Sequence, residues 1–257
     1  MCFRYFGFYH TYDTFYCLNQ RFKQLIQYET KIYIDLYSIP SGKFLTFCFD
    51  LIQLIKTSQN YPLSIVALDK YRFNLIFYDD LFKDKFSKVK SLTLLNIDAR
   101  AIYSIIFDDA IKLYQSLERL SLLNKIGEEN EHSNDIKYLC SHLISSKMKS
   151  LKYLNLNFKR YSCACEHGLY KHTHHVELEF YELTIGNKSL SNLETLIIGN
   201  IPCGYGTYTS TELSFNTFTE KLSQCLPKLK NLMINAIRFD EDKYPGQNGV
   251  CIKILSH

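Results

Sequence analysis

The chain has 257 residues, a formal net charge of +4, 46% hydrophobic residues and 22% charged ones. That length buries a substantial core in one domain or builds a repeat array of one domain's size, and the composition excludes a disordered chain. The lysines are scattered and the charge is small, which excludes the basic stripe of a nucleic-acid binder. Nine cysteines, odd in number and irregularly spaced, read as free buried thiols of a reducing compartment rather than a disulfide framework. The N-terminal MCFRYFGFYH lacks the basic-then-apolar order of a signal peptide. The most apolar run, Phe44–Ile55, is broken by Asp50 and is too short to span a bilayer. A soluble cytoplasmic protein is expected, with the nucleus also open, and no membrane or nucleic-acid partner.

In chain order, Phe15, Leu18, Phe22, Leu25 and Ile26 fall at helical spacing and predict an amphipathic helix over Thr14–Gln27. From Lys31 the period becomes two, with Ile32, Ile34 and Leu36 set against Tyr33, Asp35 and Tyr37, which predicts a strand. Pro40, Ser41 and Gly42 break it, and the spacing of Phe44, Phe47, Cys48, Leu51, Ile52 and Ile55 predicts a helix. A second strand is expected at Leu63–Ala67, then a helical or irregular piece over Asn74–Phe86. One phrase then recurs: VKSLTLLNI from Val89, LERLSLLNKI from Leu117, LKYLNLNF from Leu151, LETLIIGNI from Leu193 and LKNLMINAI from Leu229. Aligned on Leu120, the equivalents are Ile32, Leu63, Leu92, Leu154, Leu196 and Leu232, at successive steps of 31, 29, 28, 34, 42 and 36 residues. Helical connections fit at Ala101–Tyr114, Asp135–Met148 and Phe215–Cys225. A strand repeated at such spacing is the pattern of a solenoid. Parallel strands need a crossover of a dozen or more residues, and stacked strand–helix units share one continuous core that no single unit could form.

Two segments resemble known modules. The phrase Phe15-x-x-Leu18-Asn19-x-Arg21-Phe22 resembles the last part of an F-box, and Phe3, Tyr5 and Phe6 match the aromatic turn of its middle part. The steps of 28 and 29 resemble the helix-bearing leucine-rich repeats of the ribonuclease-inhibitor-like class. Together the resemblances imply a truncated F-box-like helical segment over 1–28 and a repeat array over 29–257. The implied fold is an α/β, irregular leucine-rich-repeat solenoid with parallel strands on the concave face, helices outside and a short N-terminal helical cap. The implied function is that of a substrate-recognition subunit of a cullin-type ubiquitin ligase, with Phe15, Leu18 and Phe22 docking the adaptor. The repeat asparagines sit at position 8 of the unit (Asn96, Asn124, Asn200) or position 7 (Asn157, Asn235), so irregular turns are expected. A doubly wound α/β domain is the alternative for strand–helix alternation. It is disfavoured because the strands are near-copies and no glycine-rich phosphate loop follows them.

For chemistry, Cys163, Cys165, His167, His172, His174 and His175 form the one dense set of zinc-type ligands. Their spacing fits no standard finger, and a solvated inter-repeat loop is the expectation, without metal or other cofactor. No G-x-S-x-G, H-E-x-x-H or phosphate-binding loop is present, so no enzyme is expected. Asp79-Asp80, Asp108-Asp109 and Glu128-Glu129 are adjacent in sequence and diverge in regular structure; Lys83, Lys85, Lys88 and Lys90 read as a solvated rim. What remains is the strand alternation. If positions 4 and 6 face the core, positions 3, 5 and 7 line the concave face: Ser91, Thr93, Leu95; Arg119, Ser121, Leu123; Tyr153, Asn155, Asn157; Thr195, Ile197, Gly199; Asn231, Met233, Asn235. Arg119 and Tyr153 belong to residue types that dominate binding hot spots. The expected partner is a protein target that the sequence does not name. A plain repeat scaffold, its N-terminal helix only a cap, is the rival reading.

Overall fold

The computed structural model describes residues 8–16, 18–21, 24, 32–58, 62–67, 70–77, 87–126, 131–145, 147–161, 176–178, 192–199, 208–209, 211–223, 226–238 and 250–255. Its strands are β1 (Ile32–Asp35), β2 (Pro62–Ala67), β3 (Ser91–Leu95), β4 (Arg119–Ile126), β5 (Tyr153–Tyr161), β6 (Val176–Glu177), β7 (Thr195–Ile198), β8 (Tyr208–Thr209), β9 (Thr211–Ser214), β10 (Asn231–Arg238) and β11 (Val250–Leu255). β1, β2, β3, β4, β5, β7 and β10 lie side by side in chain order, and every neighbouring pair among them is parallel. β11 closes the far edge antiparallel to β10. The short β6, β8 and β9 gather at the carboxyl ends of β5 and β10. The chain is thus α/β, built on a mostly parallel sheet.

The helices are α1 (Phe8–Phe15), α2 (Phe44–Ser58), α3 (Lys70–Phe77), α4 (Ala99–Ile106), α5 (Leu113–Ser116) and α6 (Glu131–Leu143), with a π-helical turn at Thr217–Leu222. Between β1 and β4 each parallel step contains at least one of them, as the crossover requires. α4 starts where Asp98 Oδ1 accepts the Ala101 N–H at 2.7 Å, and it buries Ala101, Ile102, Ile105 and Ile106 on one stripe. The helices and the sheet share a single core. Across the sheet, Ile34, Ile65, Leu92, Leu120, Leu154, Leu196 and Leu232 stand in one register row. Ala67, Leu94, Leu122, Leu156, Ile198 and Ile234 form the next. All are buried, and each leucine contributes about 1.5–3 kcal/mol relative to an exposed one.

The same backbone joint repeats from unit to unit. The carbonyl just before each of β3, β4, β5 and β7 accepts two successive N–H groups from the next unit. Lys90 O takes those of Glu118 and Arg119, Glu118 O those of Lys152 and Tyr153, Lys152 O those of Glu194 and Thr195, and Glu194 O those of Lys230 and Asn231, all at 2.8–3.1 Å. β3 and β7 leave the sheet through left-handed residues, Asn96 at φ 56° and Gly199 at φ 67°. Asparagine and glycine are the types that take this conformation at least cost.

Several expectations are corrected. The equivalents of Leu120 in the first two units are Ile34 and Ile65, each two residues beyond Ile32 and Leu63. β1 ends at Asp35, where the carboxylate accepts the Tyr37 N–H and turns the chain into a 3-10 segment, Leu36–Ser38. The N-terminal helix is Phe8–Phe15; Tyr16, Leu18 and Asn19 are not helical, and Gln20 is helical again. A single helix over Thr14–Gln27 is therefore not formed. Helix over Ala101–Tyr114 divides into α4 and α5 around a turn in which Asp108 Oδ1 accepts the Ala110 N–H at 2.6 Å. The Asn74–Phe86 piece begins earlier, as α3 from Lys70 to Phe77, and 78–86 lie outside the described residues.

Candidate protein-interaction face

On the sheet face opposite the leucine rows, the odd positions also form register rows. Tyr33, Ser64, Ser91, Arg119, Tyr153, Thr195 and Asn231 make the first. Asp35, Val66, Thr93, Ser121, Asn155, Ile197 and Met233 make the second. Leu95, Leu123 and Asn157 begin a third. The candidate residues Arg119, Ser121, Leu123, Tyr153, Asn155, Thr195 and Asn231 therefore share one face, with neighbours about 5 Å apart across the strands. Their exposure is uneven. Arg119 and Asn231 are exposed, and Ser121, Leu123, Tyr153 and Thr195 are half-buried. Asn155, Asn157 and Ile197 retain only 9%, 5% and 9% of their surface, so the expected open strip is closed at its centre.

Two features distinguish this face. The Arg119 guanidinium lies over the Tyr153 ring, 4.2 Å from its centroid. Such stacking is worth about 0.5–1 kcal/mol at an exposed site and holds the fork in one orientation. Arg119 has no carboxylate partner among the described residues. Asn155 Oδ1, one residue pair further along, is buried without a hydrogen-bond partner. An unmet buried acceptor costs about 1–3 kcal/mol. In the first row, Asn231 Nδ2 donates to Thr195 Oγ1 at 3.3 Å.

Known proteins offer no guide. No protein family, curated protein or solved structure matches the chain.

Beside the face runs a ladder of charges at the strand starts. Glu118 bridges Lys90 at 3.1 Å and Lys152 at 3.2 Å, and Glu194 bridges Lys230 at 2.9 Å. The residue before each strand thus alternates as Lys90, Glu118, Lys152, Glu194, Lys230. Hydrogen bonding from Lys90 holds the Glu118 carboxyl below its usual range against the opposing effect of burial, with Lys152 adding to the lowering. Lys230 does the same for Glu194. Lys90 is accordingly a paired group and not only part of a solvated rim. Residue by residue these charges look ordinary; the alternation emerges once the five repeat phrases are aligned.

The other candidates are dispersed. Phe15 ends α1 and packs half-buried against the core, whereas Leu18 is 62% exposed in the turn after it. Phe22 lies outside the described residues, as do Phe3, Tyr5, Phe6 and the loop carrying Cys163, Cys165, His167, His172, His174 and His175. Among the described residues no group of three or more His, Cys, Asp or Glu could hold a metal, and no helix is long and apolar enough to cross a membrane. Cys48 and Cys140 are free and buried. Burial pushes the Cys48 thiol up to about 12 and raises that of Cys140 further. Neither is a nucleophile in this setting.

α1 packs beside the first strand of the sheet. Phe8, Tyr9 and Tyr12 of α1 are buried, with ring centroids 5.3–6.4 Å from that of Phe47 in α2. Lys43 bridges Asp13 at 2.9 Å over the same junction. Arg72 of α3 secures the turn after β1. Its guanidinium donates to the carbonyls of Leu36 and Ile39 and to Ser41 Oγ, and it stacks on Phe44 at 5.2 Å.

Proposed function

We propose that the chain is a non-catalytic leucine-rich-repeat-like solenoid that recognises a protein partner on its outer sheet face. By resemblance it would act as the substrate-recognition subunit of a cullin-type ubiquitin ligase. The strand order supports the solenoid: it is monotonic from β1 to β10, whereas a doubly wound sheet reverses order at a switch point. The double-acceptor joint before β3, β4, β5 and β7 supports it too, because the joint survives the long step from β5 to β7. The single observation behind the recognition role is the stacked Arg119–Tyr153 pair on the sheet face opposite the leucine rows. Affinity purification of the full chain beside Arg119→Ala and Tyr153→Ala tests it. Partners lost from both variants, with Gln115→Ala retaining them and circular dichroism unchanged, are the expected result. Partners retained by both concave-face variants move the site elsewhere.

A second reading has its own support. The burial of Phe8, Tyr9 and Tyr12 against Phe47 makes α1 a cap over the open end, which a repeat scaffold needs whether or not it serves a ligase. The ligase role then rests on Phe15, Leu18 and Phe22. Co-purification of the ligase adaptor, lost on Leu18→Asp, supports the receptor; absence of the adaptor leaves the scaffold.

A further inference from the structure

We propose that the helical side of the sheet carries a second docking surface, an aromatic cluster edged by unpaired lysines, which takes an acidic segment of another protein. It is separate from the outer sheet face and does not rest on that reading. Four rings meet at α4, α5 and α6. The centroid of Tyr138 lies 4.9 Å from that of Tyr103, Tyr103 lies 4.9 Å from Phe107, and Phe107 lies 6.2 Å from Tyr114. His142 is buried against the first three. Tyr138 keeps 50% of its surface, and the other three rings are half-buried. Their hydroxyls carry polar contacts: Tyr138 Oη donates to Tyr103 Oη at 3.4 Å, and Gln115 Nε2 donates to Tyr114 Oη at 3.3 Å. Aromatic side chains with polar tips are enriched at protein interfaces.

The charges point to the kind of partner. Lys147 Nζ stands 6.0 Å from the Phe107 centroid, and Lys112 lies two residues before Tyr114. Both are exposed, as is Lys149, and none of the three forms an ion pair among the described residues. The carboxylates near them in the chain are engaged. Asp108 Oδ1 accepts the Ala110 and Ile111 N–H groups, Asp109 Oδ1 accepts the Tyr114 hydroxyl at 3.5 Å, and Asp135 bridges Arg100. Lys112 supplies a second, independent observation. Its backbone is left-handed, at φ 55° and ψ 34°, a conformation that glycine or asparagine takes at less cost. Asn96 and Gly199, also left-handed, are of those two types. A strained lysine beside an aromatic cluster is accounted for by what its charge meets, not by the turn it makes. The complement of such a surface is a carboxylate next to an aromatic or aliphatic side chain. A nucleic-acid strand needs a track of phosphate contacts and ring faces open to its bases, whereas these rings are packed on one another. A bilayer needs a broader apolar face than a single half-exposed tyrosine.

The probe is a fluorescein-labelled random copolymer of glutamate and tyrosine, titrated with the full chain and read by anisotropy. Polyglutamate, oligothymidylate and phosphatidylcholine–phosphatidylserine vesicles are run beside it. The copolymer should bind more tightly than polyglutamate. Its affinity should fall about fivefold on Lys112→Gly and again on Lys147→Gln, as for exposed charge pairs. Tyr138→Ala should weaken the copolymer and leave polyglutamate unchanged. Lys112→Gly should hold or raise the melting temperature, because the strained backbone is relieved, so that its lost binding is not lost folding. A lowered melting temperature in that variant would make Lys112 a structural residue and overturn the proposal. So would a copolymer that does not bind, or one indifferent to both lysine variants. Dependence on Arg119→Gln alone would place the acid on the outer sheet face instead. Oligothymidylate or vesicles bound more tightly than the copolymer, through the same lysines, would overturn the protein partner.

Discussion

Replacing Leu120 by Ala removes three carbons from the middle of the longest core row. The side chain is fully buried between Leu92 and Leu154, which are its register partners on the two neighbouring strands. Loss of transfer free energy alone, at about 0.8 kcal/mol per methylene, gives roughly 2.4 kcal/mol. The cavity adds to this, because both neighbours are fixed by parallel backbone pairing on either side and can collapse inward only slightly. The expected total is about 3–5 kcal/mol, the upper part of the range for such truncations. Urea denaturation reads it directly, as a lowered midpoint with unchanged slope. In a thermal melt it corresponds to a fall of roughly 10 °C for a chain of this size. The matched change is Ser121→Ala, one residue on and on the opposite face, which should stay within about 0.5 kcal/mol. A loss below about 1 kcal/mol at Leu120, or equal losses at the two sites, would refute the assignment of faces. Leu120→Asp should prevent folding altogether, since it buries an unpaired carboxylate.

Glu118→Gln should destabilise the protein by at most about 1 kcal/mol at neutral pH, because the bridges to Lys90 and Lys152 are largely exposed. The folded carboxyl is held below its ordinary 4.5, so its contribution is complete above that value and disappears as pH falls through the lower folded one. Melts of wild type and variant should therefore converge in acid; a gap that persists there would mean the loss is one of packing. Arg72→Met should cost about 2 kcal/mol by freeing the Leu36 and Ile39 carbonyls, and Arg72→Lys should restore only part of it, since one ammonium cannot reproduce the fork. In a brief alkylation pulse read by peptide mapping, Cys48 and Cys140 should be among the last thiols labelled at pH 8, with rapid modification of either contradicting its buried, raised-pKa state.

The sequence made the strand faces of the later units legible for a simple reason. In Leu92, Leu120, Leu154, Leu196 and Leu232 a leucine follows a residue with a polar tip (Ser91, Arg119, Tyr153, Thr195, Asn231) and is followed two residues on by another apolar residue, which fixes the phase of a period-two pattern. In the first two units Ile32, Ile34 and Leu36, or Leu63, Ile65 and Ala67, are apolar throughout, so the phase is free by two residues. There the turn chemistry of Asp35 and the anchoring by Arg72, both tertiary facts, decide it. The N-terminal helix lies earlier than the spacing of Phe15, Leu18 and Phe22 predicts, because Phe8, Tyr9 and Tyr12 are the residues that reach the core. The burial of Asn155 and Asn157 carries no local signal at all, since a polar residue at an outward strand position looks exposed until the array is assembled.

The charge ladder has a consequence for how the parallel sheet can change its number of strands. Over Lys90, Glu118, Lys152, Glu194 and Lys230 the sign reverses at every step. Excising the unit that carries Glu118 would set Lys90 beside Lys152, and duplicating it would set Glu118 beside its own copy. Like charges placed directly opposite on neighbouring strands are destabilising. Removing or adding two consecutive units restores the alternation. Along this stretch the sheet therefore has a parity: changes by pairs of strand units keep every neighbour opposite in sign, and a change by one leaves a single mismatched joint that a compensating charge reversal must repair.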